Sequence, residues 1–266
     1  MLPLTGKTIL VTRAVEQSSK FTAMLQAQGA TVIEMPALEI FPPSSWEGLD
    51  QAIANLSDFQ WLILTSANGV NYFFKRLTKQ GLYVSSLEAI KIAVVGKKTA
   101  ATLKTYNLQP DFIPPDFVAD SLVENFPESL ANQKILFPRV ETGGREILVK
   151  ELTTEGAEVV EVAAYQSGCP DTISPLAWEA LQQEKVDIVT FASSKTVKNF
   201  CQLIESASKV QLEDKNQLLL EHICIASIGP QTSKTCHQLL GRVDVEATEY
   251  TLEGLTQAII QWHKSN

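Results

Sequence analysis

Six short segments carry most of the side chains that could hold a small anionic ligand. They are Thr12-Arg13, Thr65-Ser66-Ala67-Asn68-Gly69, Gly96-Lys97-Lys98-Thr99, Pro138-Arg139 with Thr142-Gly143-Gly144-Arg145, Ala192-Ser193-Ser194-Lys195-Thr196, and Gly229-Pro230-Gln231-Thr232. Each follows a short apolar run and is expected to open a helix. A helix start leaves backbone N–H groups unpaired at the positive end of the dipole, which suits carboxylates and phosphates. For any single serine or threonine here the plain reading is an N-cap. Six such loops together are a concentration of donors that calls for a partner.

The chemistry these loops do not offer is equally plain. GKKTA lacks the GxxxxGK[ST] spacing of a nucleotide cradle, and no GxGxxG follows the first apolar run. No GxSxG elbow is present, and no glycosidase-type pair stands out among the 30 Asp and Glu residues. Cys169, Cys201, Cys224 and Cys236 form no CxxC pair and are expected to be reduced thiols of a cytosolic protein. His222 and His237 lie near two of them without the spacing of a zinc loop, so no metal and no cofactor are expected.

The elements that must position these loops are legible as a repeat. ILVTR (9–13) lies over ILFPR (135–139), and GATVIEM (29–35) over GAEVVEV (156–162). QWLILTSANGVNYFF (60–74) lies over DIVTFASSKTVKNFC (187–201) at an offset of 127, and LEAIKIAVVGKKTA (87–100) over LEHICIASIGPQTS (220–233) at 133. The offset of 133 also carries 117–122 onto 250–255. Five blocks in one order indicate a duplication, with a period of half the chain rather than of one solenoid unit.

Ile9–Val11, Leu62–Leu64, Ile92–Val95, Ile135–Phe137, Ile188–Val189 and Ile223–Ile228 are β-rich runs apolar on both faces, as strands of a covered parallel sheet must be. Between them, Phe21, Met24 and Leu25 make a helical stripe that stops at Gly29; Leu148, Leu152 and Gly156 repeat it. Strand, turn and helix in alternation predict a doubly wound α/β fold. In such sheets ligands bind beyond the carboxyl ends of the strands, where all six loops fall.

The 266 residues carry a net charge of −8, with 45% hydrophobic and 20% charged residues. The charge argues against nucleic acid. No apolar run reaches the roughly 20 residues of a membrane span, and MLPLTGKTILVTR is not a signal peptide. An anionic ligand sits awkwardly with the net charge, but fields act locally, over about 8 Å at physiological salt. Arg13, Lys97, Lys98, Arg139, Arg145, Lys195 and Lys198 all lie on or near the loops.

The chain resembles the uroporphyrinogen-III synthase family. The opening ILVTRAVEQSSKF, the turns TSANGV (65–70) and SIGPQTS (227–233), the ending YTLEGLTQAI (250–259), FPRVETGGREIL (137–148) and AAYQS (163–167) agree with it in order and spacing. The resemblance implies two flavodoxin-like parallel-sheet domains joined by a two-stranded linker: residues 1–36 with 166–266, and an inserted domain 37–165. It implies cyclisation of hydroxymethylbilane to uroporphyrinogen III, with loss of water and inversion of the terminal pyrrole ring, in a cleft between the domains. The enzyme is expected to be cofactor-free, monomeric and cytoplasmic, and to receive its substrate from the preceding pathway enzyme.

By the same resemblance Tyr165 is the catalytic residue, placed where the chain crosses back between domains. Arg13, Thr65, Ser66, Lys98, Thr99, Arg139, Ser193, Ser194, Gly229 and Thr232 are expected to hold the carboxylate arms. A rival reading is a bilobed cytosolic solute-binding or sensor protein for an anionic small molecule. A flavodoxin-like nucleotide or flavin binder is a second, weakened by the missing phosphate loop.

Overall fold

The computed structural model describes residues 2–116, 119–143, 146–208 and 220–265. Phe117 and Val118 of the last repeat block, and Gly144 and Arg145, lie outside the described residues.

The apolar runs form short strands: β1 (Thr8–Val11), β2 (Thr31–Glu34), β3 (Glu39–Phe41), β4 (Trp61–Leu64), β5 (Lys91–Val94), β6 (Lys134–Val140), β7 (Glu158–Gly168), β8 (Ile188–Phe191), β9 (Cys224–Ser227) and β10 (Val245–Glu246). They make two five-stranded sheets, ordered β10-β9-β8-β1-β2 and β3-β7-β6-β4-β5. The strand pairs from β10 to β2, and from β7 to β5, run parallel. The chain divides into two compact units, Met1–Glu39 with Gly168–Asn266, and Ile40–Ser167.

Alternation along each strand feeds two cores per sheet. In the first unit Leu10 and Val189 join one buried cluster with Phe191 and Phe200, while Ile9, Val11 and Ile188 join another with Phe21 and Leu255. In the second unit Leu62 and Leu64 face Phe73 and Leu103, while Trp61 and Ile63 face Phe137 and Leu148. Strands β4, β8 and β9 are buried along their whole length, as a sheet covered by helices on both faces requires.

Helices α1 (Val15–Ala27), α2 (Glu47–Ala54), α3 (Ala67–Lys79), α4 (Lys97–Lys104), α5 (Ala119–Glu124), α6 (Glu146–Thr154), α7 (Pro175–Gln182), α8 (Ser194–Ser208), α9 (Pro230–Leu240) and α10 (Leu252–Ser265) supply that cover. Helix α1 ends as the sequence stripe predicts. Gly29 takes a φ of +92°, and Ala30 N donates to Leu25 O; at the repeat position Gly156 has φ +93° and Ala157 N donates to Leu152 O.

The repeat is exchanged between the sheets. β1 and β2 of the first copy pair with β8 and β9 of the second, while β6 and β7 of the second copy pair with β4 and β5 of the first. Written in units of the repeat, both sheets read second, first, third, fourth, the flavodoxin-like order. The match extends to single contacts. Phe112 bridges Ala93 as Val245 pairs with Ala226, 133 residues on. Asp111 Oδ2 accepts from Ile92 N, and Asp244 Oδ2 from Ile225 N, each at 2.7 Å.

Helices α2 and α3 are joined by Arg76, whose Nε and Nη2 donate to Asp50 at 2.5 Å while its guanidinium lies over Trp46. The Arg76 hydrogen bonds hold the Asp50 carboxyl below its usual range. A depressed folded value stabilises the fold fully above the unfolded carboxyl's titration, about pH 4, and is lost as pH falls through the lower folded value. Asp50→Asn is therefore expected to lower Tm by about 2–4 °C at pH 7. In thermal melts recorded at falling pH, the gap to the parent protein narrows once pH drops below about 4.

Candidate active site

The functional loops follow the strands as expected, and the structure sorts them. In the second unit Tyr165 stands near the end of β7. The β6–β7 register slips between Arg139 and Val140, so that Arg139 pairs with Ala163 but Val140 with Tyr165. Ala164 is the extra residue, and both Ala164 and Tyr165 are buried, at 0% and 8% exposure. Strict alternation would turn one of them outward; the bulge aims Tyr165 onto the α3 side of the sheet. Pairing thus continues through Tyr165, which lies two residues before the end of the second unit.

There the Tyr165 hydroxyl sits 3.0 Å from Ser66 Oγ, and its ring lies 5.8 Å from that of Tyr72. Ser66 is the N-cap of α3, accepting from Gly69 N at 2.9 Å. Gly69 allows a close approach rather than a special backbone angle. A Cβ there would stand 3.2 Å from Ser66 Oγ, 3.5 Å from the Pro138 carbonyl oxygen and 4.0 Å from Tyr165 Cε1.

Helix α4 opens beside this group after Gly96, with Thr99 in its first turn and 4% exposed. The Lys97 and Lys98 side chains are exposed, and the first-turn N–H groups have no helical acceptor. Arg139 is differently placed. Its guanidinium bonds the Glu161 carboxylate and the Gly143 carbonyl, bracing the loop that follows β6.

In the first unit, Ser193 repeats the Ser66 cap by accepting from Thr196 N at 3.2 Å. Ser194 Oγ donates to Gln231 O, tying this loop to α9. Gly229 is enclosed by its own loop: its N–H donates to Ser227 Oγ, which also pairs with Ser233 Oγ at 2.6 Å. A Cβ on Gly229 would meet Tyr250 Cδ1 at 2.7 Å, so a larger residue would have to displace that exposed ring. Thr232, 4% exposed, takes the place of Thr99. Pro230 opens α9 without an N–H, so this turn offers one donor fewer than α4. Arg13 is partly buried, and burial pulls its guanidinium below the usual value.

Of the expected anchors, Thr65, Thr99 and Thr232 have hydroxyls without a hydrogen-bond partner among the described residues. Ser66, Ser193, Ser194 and Arg139 are committed to other protein groups. Sequence reasoning missed Tyr72, Glu161 and the Tyr250 ring, which act through contacts between segments well apart in the chain, and the local Ser227–Ser233 pair. Cysteine chemistry finds no place here. All four thiols are free, and burial pushes Cys201 up to about 11 and Cys224 and Cys236 to about 12. Among the described residues no group of three or more His, Cys, Asp or Glu could hold a metal ion, and no helix is long and apolar enough to cross a membrane.

The model of the uroporphyrinogen-III synthase HemD family matches residues 19–257. The chain belongs to the uroporphyrinogen-III synthase family. That family catalyses the cyclisation of hydroxymethylbilane, a lyase reaction of tetrapyrrole and heme biosynthesis. A uroporphyrinogen-III synthase of Synechococcus elongatus is 55% identical over 260 residues, covering 98% of this chain and 97% of that protein. A putative uroporphyrinogen-III synthase of Methanothermobacter thermautotrophicus is 27% identical over 252 residues, covering 94% and 96%.

Among solved structures, a uroporphyrinogen-III synthetase of Helicobacter pylori matches with a TM-score of 0.62 at 15% identity, covering 96% of this chain and 99% of that one. A mutant synthase of Thermus thermophilus matches at 0.58 and 16%, covering 98% and 100%. These two share the fold. Family membership displaces the solute-binding and flavin-binding readings.

The split between free and committed hydroxyls has a measurable consequence. Thr99→Ala and Thr232→Ala are each expected to raise KM by about 2- to 10-fold while leaving Tm nearly unchanged. Ser193→Ala is expected to cost about 1 kcal/mol of stability through its lost cap. Steady-state kinetics and denaturant melts on the three variants check both.

Proposed function

We propose that this chain closes hydroxymethylbilane into uroporphyrinogen III by holding it in one reactive geometry, with Tyr165 as the proton donor. The observation that carries this reading is the Tyr165 hydroxyl, held 3.0 Å from Ser66 Oγ at the carboxyl ends of β4 and β7. In a chain of this family, a fixed phenol beside helix starts has a defined use. A tyrosine O–H is a proton donor at neutral pH. As the C–O bond of the hydroxymethyl arm breaks, its electron pair leaves with oxygen, the Tyr165 proton joins it, and water departs. The proton released from the terminal pyrrole on ring closure restores the phenol.

Linear hydroxymethylbilane closes unaided to the uninverted isomer, so orientation is the larger task. Thr65, Thr99 and Thr232, the first-turn N–H groups of α3, α4 and α8, and the charges of Arg13 and Lys98 are the proposed anchors for its acetate and propionate arms. Ser193, Ser194 and Gly229 serve by shaping their loops, and Arg139 by bracing the one after β6. A cytoplasmic site of action is part of the proposal. A monomer that takes its substrate from the preceding enzyme completes the proposal.

The purified chain supplied with hydroxymethylbilane is expected to form the type III isomer. Formation of the type I isomer alone would overturn the reading. Tyr165→Phe, which removes one oxygen from a packed ring, is expected to lower kcat by roughly 100-fold or more with Tm close to that of the parent; parental kcat would remove Tyr165 from the chemistry.

A further inference from the structure

Ser66 has two partners, and their chemistry fixes what it can do. A hydroxyl has one hydrogen and two lone pairs. Gly69 N–H, 2.9 Å away, can only donate, so it occupies a lone pair and leaves the Ser66 hydrogen unassigned. The Tyr165 hydroxyl, 3.0 Å away, is the other group in reach. If Tyr165 donated to Ser66, its proton would be turned away from any substrate. If Ser66 donates, the Tyr165 proton is left to point outward. Once Tyr165 has lost that proton, a phenolate can only accept, and Ser66 must be the donor.

We infer that Ser66 is a positioning residue for Tyr165. It links the phenol to the positive end of α3 through the chain Gly69 N–H, Ser66 Oγ–H, Tyr165 Oη. Accepting from an N–H at a helix start polarises the serine hydroxyl and strengthens its own donation. The link therefore stabilises the phenolate left when the proton moves to the departing hydroxyl, and it orients the phenol before that moment. This rests on the reading of Tyr165 as proton donor.

The repeat supports the assignment. Ser193 makes the same cap in the other unit, but there the hydroxyl lies 3.4 Å from Thr196 Oγ1 instead of meeting a tyrosine. The residue that matches Tyr165 in the first copy is Leu38. A cap alone thus needs no phenol, and the phenol occurs with the cap on which β7 is bulged. Tyr72 lies against the Tyr165 ring, with 5.8 Å between centroids.

The test is a set of substitutions at position 66 read in parent and Tyr165→Phe backgrounds. Ser66→Ala is expected to lower kcat by about 10- to 100-fold with KM within about 2-fold of the parent. Ser66→Thr, which keeps both cap and donor, is expected to restore most of kcat. Ser66→Asp keeps a cap acceptor of equal strength, but its carboxylate can only accept, so it restores Tm but not kcat. In the Tyr165→Phe background Ser66→Ala is expected to add less than about 2-fold, since a residue acting through another shows no separate effect once that other is gone. Full multiplicative loss in that background, or rescue of kcat by Ser66→Asp, would overturn the inference while leaving Tyr165 as donor. A Tyr165→Phe enzyme with parental kcat would overturn the donor reading itself.

Discussion

The structure depends on strand pairing across the duplication. Neither sequence copy completes a sheet alone. β1 finds its inner neighbour in β8, with Ile9, Leu10 and Val11 opposite Ile188, Val189 and Thr190, and β4 finds its own in β6, with Trp61 and Leu62 opposite Ile135 and Leu136. These strands carry the most buried apolar residues of each unit, so the pairing sets both cores at once. It also sets the chemistry: Ser66 comes from the first copy and Tyr165 from the second, 99 residues apart. They meet because β4 and the β6–β7 pair share a sheet.

The duplication preserves the devices that build the scaffold and varies several of the groups proposed to act on a ligand. Preserved are the left-handed glycines at 29 and 156, the strand-start carboxylates Asp111 and Asp244, and the serine caps at 66 and 193. Changed are several of the residues proposed to face substrate. Leu38 stands where the other copy has Tyr165, and GKKT opens α4 where GPQT opens α9. The buried pair Ser227–Ser233 corresponds to Val94 and Ala100, which offer no hydroxyl. One unit thus holds the proposed acid and the richer set of free donors. The other holds a stiffened loop under an aromatic ring.

This division explains what could be read from the sequence. Strand positions were legible because parallel strands buried on both faces must be apolar throughout, and Ile9–Val11, Leu62–Leu64 and Ile188–Val189 are. Helix ends were legible where glycine answers to a backbone need, as at Gly29 and Gly156. The loops were legible as donors, but their side chains could not be sorted, since the sequence does not show that Ser194 turns to Gln231 O or Arg139 to Glu161. The aim of Tyr165 was beyond reach for a sharper reason: it depends on a one-residue slip between two parallel strands, and GAEVVEVAAYQS looks the same with or without it.

The central claim, that the second unit is assembled from both copies, is most directly tested by fragment folding. Residues 40–167 and residues 1–128 both contain Trp46 and Trp61, and Trp61 is 1% exposed in the intact chain. Urea titration of each fragment, followed by tryptophan emission, separates the alternatives. The account predicts a single cooperative transition from a blue-shifted state for 40–167 and none for 1–128. A cooperative transition for 1–128 with none for 40–167 would contradict it.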